Sequence, residues 1–243
     1  MNLKIVKLSM WFLAVAGLLT VLGFVDAKQD GKNCESIIID IEAGDGLFFV
    51  EPNDVLGLMK KEGLEITGKP LHSLDFESLE ALILTNTYVK EAQVYATVCG
   101  KLKIRIRQRK PALRVLSSQN GDYYYDEDGE VMPVSNNYTA NVILANGHVG
   151  LIPPANLKML ATFVNKNKFW KSQILQIYVD WTGSIQLIPR VGSHKIILGD
   201  CSDLEIKFNK LFAFYKDGLN KIGWNTYKTI NLKYKNQVVC TKI

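Results

Sequence analysis

An uncharged apolar run from Leu8 to Val25 (LSMWFLAVAGLLTVLGFV) constrains this chain more than any other feature. At 1.5 Å per residue, its 18 residues just cross a hydrocarbon core of about 30 Å, so the run reads as a single spanning helix. Lys4 and Lys7 precede it without an acid, whereas Asp26, Lys28, Asp30 and Lys32 follow it as a balanced set. That cationic bias places residues 1–7 in the cytoplasm and everything beyond Val25 on the other side of the membrane. A cleaved signal peptide is the competing reading, because Val25-Asp26-Ala27 loosely resembles a small-residue cleavage site. The run is, however, longer than the usual signal core of about 7 to 15 residues.

About 210 residues remain, enough for two modest domains with separate cores. Ser36 to Glu42 (SIIIDIE) is a β-branched strand. Glu51-Pro52-Asn53-Asp54 opens a short helix that Gly63 closes. A second helix follows Ser73 or Asp75 as N-cap, with Leu74, Leu79 and Leu82 near helical spacing. Tyr88 to Val98 and Lys101 to Arg109 then alternate across Cys99-Gly100 as a hairpin. Pro111 cannot donate to a ladder, so Arg109 to Ala112 is expected to be a bend between two folded units.

Beyond Pro111 the pattern turns mainly β, with strands expected at Leu113 to Leu116, Tyr123 to Asp126, Val131 to Pro133 and Asn141 to Ala145. Asn120-Gly121 and Asp128-Gly129 mark turns among them. Asn156 to Asn165 is an amphipathic helix, and Ile174 to Asp180, Ser184 to Pro189 and His194 to Leu198 form a meander. Asp203 to Asn220 is a long helix. Tyr227 to Tyr234 and Gln237 to Ile243 close a last hairpin at Lys235-Asn236.

Enzymatic chemistry finds little support. His72, His148 and His194 stand singly, as surface or loop histidines would, and no GxSxG or Ser-x-x-Lys box is present. Asp122 to Glu130 (DYYYDEDGE) is acidic but lacks calcium-loop spacing, so a hairpin turn explains it better. One tyrosine of Tyr123 to Tyr125 must point inward. Cys34, Cys99, Cys201 and Cys240 have no CxxC spacing; they leave room for one or two bridges and require none. No catalytic residue, metal site, cofactor or small-molecule substrate is expected. With a net charge of only +5, concentrated largely in one segment, nucleic acid is not expected as a partner either.

That segment is the strand Lys101 to Lys110. Period two puts Lys101, Lys103, Arg105, Arg107 and Arg109 on one face and Leu102, Ile104 and Ile106 on the other. The basic face suits anionic lipid or an acidic partner; the alternative is the solvated face of an antiparallel sheet.

The order strand, helix, helix, strand, strand resembles the POTRA domain that follows the anchor in the FtsQ/DivIB cell-division family. Gln108-Arg109-Lys110-Pro111-Ala112 resembles that family's Glu-x-x-Pro-(Val/Ala) junction, with Gln108 in place of Glu. In the second half, Tyr125 to Gly129 resembles its Tyr-Asp-Gly hairpin, and Ile197-Leu198-Gly199 with Lys207 its strand-to-helix turn. Ile230-Asn231-Leu232-Lys233-Tyr234 resembles its terminal Asp-Leu-Arg-Tyr, with Asn and Lys substituted. The resemblance implies an α+β chain: a single N-terminal transmembrane helix over residues 8–25, a POTRA-like domain over 34–109, and a mainly antiparallel β domain with flanking helices over 110–243. It further implies a non-enzymatic scaffold in the inner membrane, bulk periplasmic, at the division septum. FtsB-like and FtsL-like membrane proteins would be its partners, and septal peptidoglycan synthesis the process regulated. A POTRA-bearing chaperone of envelope assembly and a membrane-anchored cell-wall hydrolase are the alternatives.

The binding element is expected at the C-terminal hairpin. Ile230 and Leu232 share one face, with Tyr234 following it, and Gln237 to Ile243 is β-prone with no charge before Lys242. A partner strand would add at Val238, Val239, Cys240 and Thr241, with Lys233 as a charge contact and Tyr234 as an aromatic anchor.

Overall fold

The computed structural model describes residues 32–42, 46–117 and 121–243, together with Trp11, Leu13, Val15, Ala16, Gly17 and Thr20, which are helical. The expected cytoplasmic tail, and most of the expected spanning run, lie outside the described residues. Among the described residues no helix is long and apolar enough to cross a membrane. The chain divides into two compact units, the first ending at Gln108 and the second beginning at Arg109.

The first unit is a three-stranded sheet with two helices. β1 (Ser36–Glu42) pairs parallel to β3 (Lys101–Gln108), which pairs antiparallel to β2 (Val89–Ala96), so β3 is central. Its Leu102, Ile104 and Ile106 are fully buried, at about 1.5–3 kcal/mol each for the apolar area removed from water. Helix α1 (Pro52–Lys61) begins with Pro52 in its first turn and a reciprocal box between Glu51 and Asp54, and buries Val55 and Met59, one turn apart. Helix α2 (Phe76–Leu84) is capped by Asp75, whose carboxylate accepts from the Ser78 N–H at 3.1 Å, and buries Leu79 and Ile83.

Gln108 is 4% exposed. Its side-chain oxygen accepts from the Phe49 and Val50 N–H groups at 2.9 and 3.0 Å, and its Nε2 donates to the Leu47 carbonyl at 3.1 Å. A neutral amide meets this mixed demand and an ionised carboxylate does not, because it cannot donate.

The second unit is built on nine strands: β4 (Pro111–Val115), β5 (Tyr123–Asp126), β6 (Val131–Pro133), β7 (Ile143–Gly147), β8 (Ile174–Val179), β9 (Ile185–Pro189), β10 (Lys195–Gly199), β11 (Tyr227–Asn231) and β12 (Val239–Lys242), in the order β12-β11-β10-β9-β8-β7-β4-β5-β6. Pro111 opens β4 as its first residue, a position where the missing N–H is tolerated. Antiparallel pairs predominate, but β4 with β7, β7 with β8, and β10 with β11 are parallel. Two of these parallel steps are made by helical crossovers: α3 (Pro154–Lys166) and α4 (Lys168–Gln173) between β7 and β8, and α5 (Leu204–Ala213) between β10 and β11.

Both crossovers pack on one face of the sheet. Leu157, Leu160, Ala161 and Val164 of α3, Trp170 of α4 and Leu204, Phe208 and Leu211 of α5 meet Leu113, Ile143, Ile177, Leu187, Ile196 and Ile230 in a single core. After Ala213 the helix widens into a π turn, Phe214–Leu219, which keeps Tyr215 and Leu219 on the buried stripe. Tyr124 and Tyr125 are both buried, so two tyrosines of the triplet are committed to packing rather than one. Tyr125 joins the helix-covered core, while Tyr124 faces the other way beside Met132 and its hydroxyl accepts from the Ala140 N–H at 3.3 Å.

Candidate partner-binding edge

β12 forms one edge of the nine-stranded sheet, bonded to β11 on its inner side. Val238 and Cys240 pack against the core, and burial raises the Cys240 thiol above its ordinary range. Val239 is 41% exposed, and Thr241 and Lys242 are exposed. The Ile243 N–H donates to the Thr226 carbonyl at 3.3 Å. Two-residue alternation therefore turns the main chain of Thr241 and Val239 toward β11 and that of Cys240 and Lys242 toward the open side.

The turn that delivers β12 is braced from the helix side. The Asn231 carboxamide oxygen accepts from the Lys233 N–H at 3.0 Å, which ends β11. Leu232 stays buried, but Tyr234 is 49% exposed and does not continue the inward face of Ile230 and Leu232, because the strand stops before it. The Lys210 ammonium donates to the carbonyls of Leu232 and Lys235, both at 3.3 Å, and to that of Tyr234. Gly199, at φ +83°, lies under the Lys233 stem: a Cβ there would meet its Cγ at 2.8 Å.

These contacts frame an open groove of about 500 Å³ between the β8–β9 turn, the β10–α5 turn, the face of α5 and the hairpin turn. Lys207, Lys210, Lys233 and Lys235 line it against Asp200 and Asp203, an excess of two positive charges. Lys207, 7% exposed, donates to the Asp200 carboxylate at 2.6 Å and to its carbonyl at 3.0 Å. With Ser202, it holds the Asp200 carboxyl well below the usual carboxylate range. This is the physical basis of the spacing between Gly199 and Lys207.

Trp181, outside the residues expected for binding, stands 78% exposed at the tip of the β8–β9 turn. Asp180 fixes that turn: its Oδ1 accepts from the Thr182 hydroxyl at 2.6 Å and from the Thr182 and Ser184 N–H groups at 2.8 and 3.0 Å, and these hydrogen bonds, the hydroxyl's foremost, hold its carboxyl below the usual range. A tryptophan inside an Asp-x-Thr-Gly turn was the available signal.

The basic strand does not form one patch. In the first unit, Lys103 and Arg105 lie 3.2 and 3.9 Å from Asp40, and Arg107 pairs with Glu91. Register also sets Glu42 beside Arg107 and Ser36 beside Lys101. The face thus carries four cations against three acids, which resembles a solvated mixed-charge surface. Arg109 belongs to the second unit and bonds the buried Asp126 at 2.9 Å. Asp126 also accepts from the Asp128 and Glu130 N–H groups at 2.9 and 2.7 Å, so its oxygens serve the turn.

His194 is a core residue, not a surface one. It is 2% exposed, with its Nε2 2.9 Å from the Tyr215 hydroxyl and its ring beside Trp224. Burial pushes its imidazole below the ordinary value, offset in part by the Trp224 backbone.

No curated protein matches the chain. The family model described as FtsQ/DivIB, C-terminal related, matches residues 110–241, more than half of the chain, and one described as a POTRA-like domain matches residues 32–107. The chain therefore belongs to the FtsQ/DivIB family.

Proposed function

We propose that this protein is a membrane-anchored, non-enzymatic scaffold of the division septum, whose β12 edge receives a strand from a bitopic coiled-coil partner of the FtsB-like or FtsL-like kind. Family membership supports a cell-division scaffold role. The observation that carries the binding mode is the open outer side of β12 next to a lysine-lined groove. Main-chain pairing supplies affinity, while an acidic flank on the partner is selected by Lys233 and Lys235. Trp181 and Tyr234, both projecting from turns around that groove, supply aromatic anchors. Through this contact the scaffold regulates septal peptidoglycan synthesis. The run from Leu8 to Val25 holds it in the inner membrane, with the folded units in the periplasm.

A fluorescent fusion in dividing cells, combined with co-purification, tests the reading. A midcell ring and recovery of bitopic coiled-coil proteins support it. A uniform envelope signal with recovery of outer-membrane assembly factors would replace it with the chaperone reading.

A further inference from the structure

The two edges of the three-stranded sheet are built differently. β2 carries Lys90 and Glu91 and an irregular register between Val89 and Glu91, features that discourage pairing. β1 has no lysine and no proline, and its register with β3 is unbroken from Ser36 to Glu42. Ile37, Ile39 and Ile41 stand in register with Leu102, Ile104 and Ile106. Those three partners are fully buried, yet the β1 isoleucines are only half-buried, and Ile38 on the outer face is 40% exposed. Asp40, which would otherwise guard the edge, is neutralised by Lys103 and Arg105.

The main chain is also turned the right way. The Glu35 N–H donates to the Gly100 carbonyl at 2.9 Å. By two-residue alternation, the N–H and C=O groups of Ser36, Ile38, Asp40 and Glu42 then face away from β3; ahead of β1 the same side of Cys34 is taken by Lys69 and Gly68, and the Ser36 carbonyl accepts from the Cys34 Sγ at 3.6 Å, so the row is open from the Ser36 N–H to Glu42.

We infer that β1 is a homotypic docking edge, on which a second copy of this chain pairs antiparallel about a two-fold axis at Ile39. This register uses all seven residues of the strand. Ser36 meets Glu42 and Ile38 meets Asp40 as hydrogen-bonded pairs through the outward-turned groups. Ile37 meets Ile41, and Ile39 its own copy, as the closer non-hydrogen-bonded pairs on the inner face. The isoleucines of each copy supply the cover that the other lacks. No acid faces an acid in this register, whereas centring on Asp40 sets two aspartates opposite each other, and centring on Ile38 leaves Ile41 unpaired. An isologous contact of this kind closes at two copies. It is independent of the β12 edge.

The test is disulfide trapping of the full-length chain in its own membrane. Cys99 is exposed and is first changed to Ser. Chains carrying Ile38→Cys and Asp40→Cys, tagged to differ in size, are co-expressed and oxidised. A hydrogen-bonded antiparallel pair has its Cα atoms about 5.5 Å apart, within disulfide reach. A mixed-size dimer several-fold stronger than either same-size dimer is expected. Equal trapping in all combinations, no trapping, or capture of a different protein alone overturns the proposal. Should Asp40→Cys lower the melting temperature by more than a few degrees, Ser36→Cys with Glu42→Cys reads the same register at the strand ends.

Discussion

The side-chain oxygen of Gln108 accepts the N–H of Phe49 at 2.9 Å, tying the end of the central strand to the segment that leads into α1. The neighbouring N–H of Val50 shares this acceptor, and the amide's own nitrogen bonds Leu47. Replacing Gln108 with Ala strips these buried groups of their partner, a loss of about 1–3 kcal/mol. Gln108→Glu also destabilises the protein, because the carboxylate must either desolvate its charge or bind a proton. Denaturant unfolding of the two variants measures both losses, and a wild-type midpoint for Gln108→Glu would refute the need for a donor.

Asp126 is 1% exposed and holds Arg109 on one oxygen and the turn N–H groups of Asp128 and Glu130 on the other. Asp126→Ala should cost about 3 kcal/mol, the scale of breaking one partner out of a buried pair. Unfolding equilibria measure it, and a change below experimental scatter would show that the pair contributes nothing.

His194 predicts an acid limit to stability. Its folded pKa lies below the ordinary value near 6.5, so the folded state prefers the neutral ring. This contribution is complete above the unfolded pKa. It is lost as pH falls below about 6.5, where the unfolded chain takes up a proton that the folded one resists. Melting temperature should drop between pH 7 and pH 5, and His194→Gln, if it folds, should flatten that slope. An unchanged slope in the variant would assign the pH effect to other groups.

At the partner edge, the main-chain direction decides which proline is informative. Val239 faces β11, so Val239→Pro breaks the internal ladder, whereas Cys240→Pro leaves that ladder intact and removes an outward donor together with one partly buried side chain. Cys240→Pro, Tyr234→Ala and Trp181→Ala should each weaken recovery of the coiled-coil partner by tenfold or more, on the order of 1.4 kcal/mol or above. Melting temperatures should stay within a few degrees of wild type. Undiminished pull-down from all three variants would remove this surface from the interface.

The membrane assignment has its own check. Protease added outside the inner membrane should digest the chain beyond about Asp30 and leave a short protected stub. Protection of residues 88–243 would reverse the topology, and a mature N-terminus near Lys28 would make the apolar run a signal peptide.

Features that depend on near neighbours along the chain are legible in the residues alone. Leu102, Ile104 and Ile106 alternate with charged residues, and that period alone identifies both the strand and its buried face. Asp75 ahead of an apolar run marks a helix start, and Asp128-Gly129 a hairpin, because caps and turns are short-range hydrogen-bond problems. Contacts between residues far apart in the chain depend on how the elements pack. Whether Lys103 and Arg105 are free or neutralised depends on the register that brings Asp40 beside them from another strand. His194 looked like a loop residue because the groups that bury it, Tyr215 and Trp224, arrive from the far side of a helical crossover. The short α4 carries too little periodicity in its six residues to be legible in the sequence. The parallel steps follow from the connections rather than from the strands' own residues: β7 to β8 and β10 to β11 run parallel because a helical crossover packed on the sheet returns the chain in the same direction.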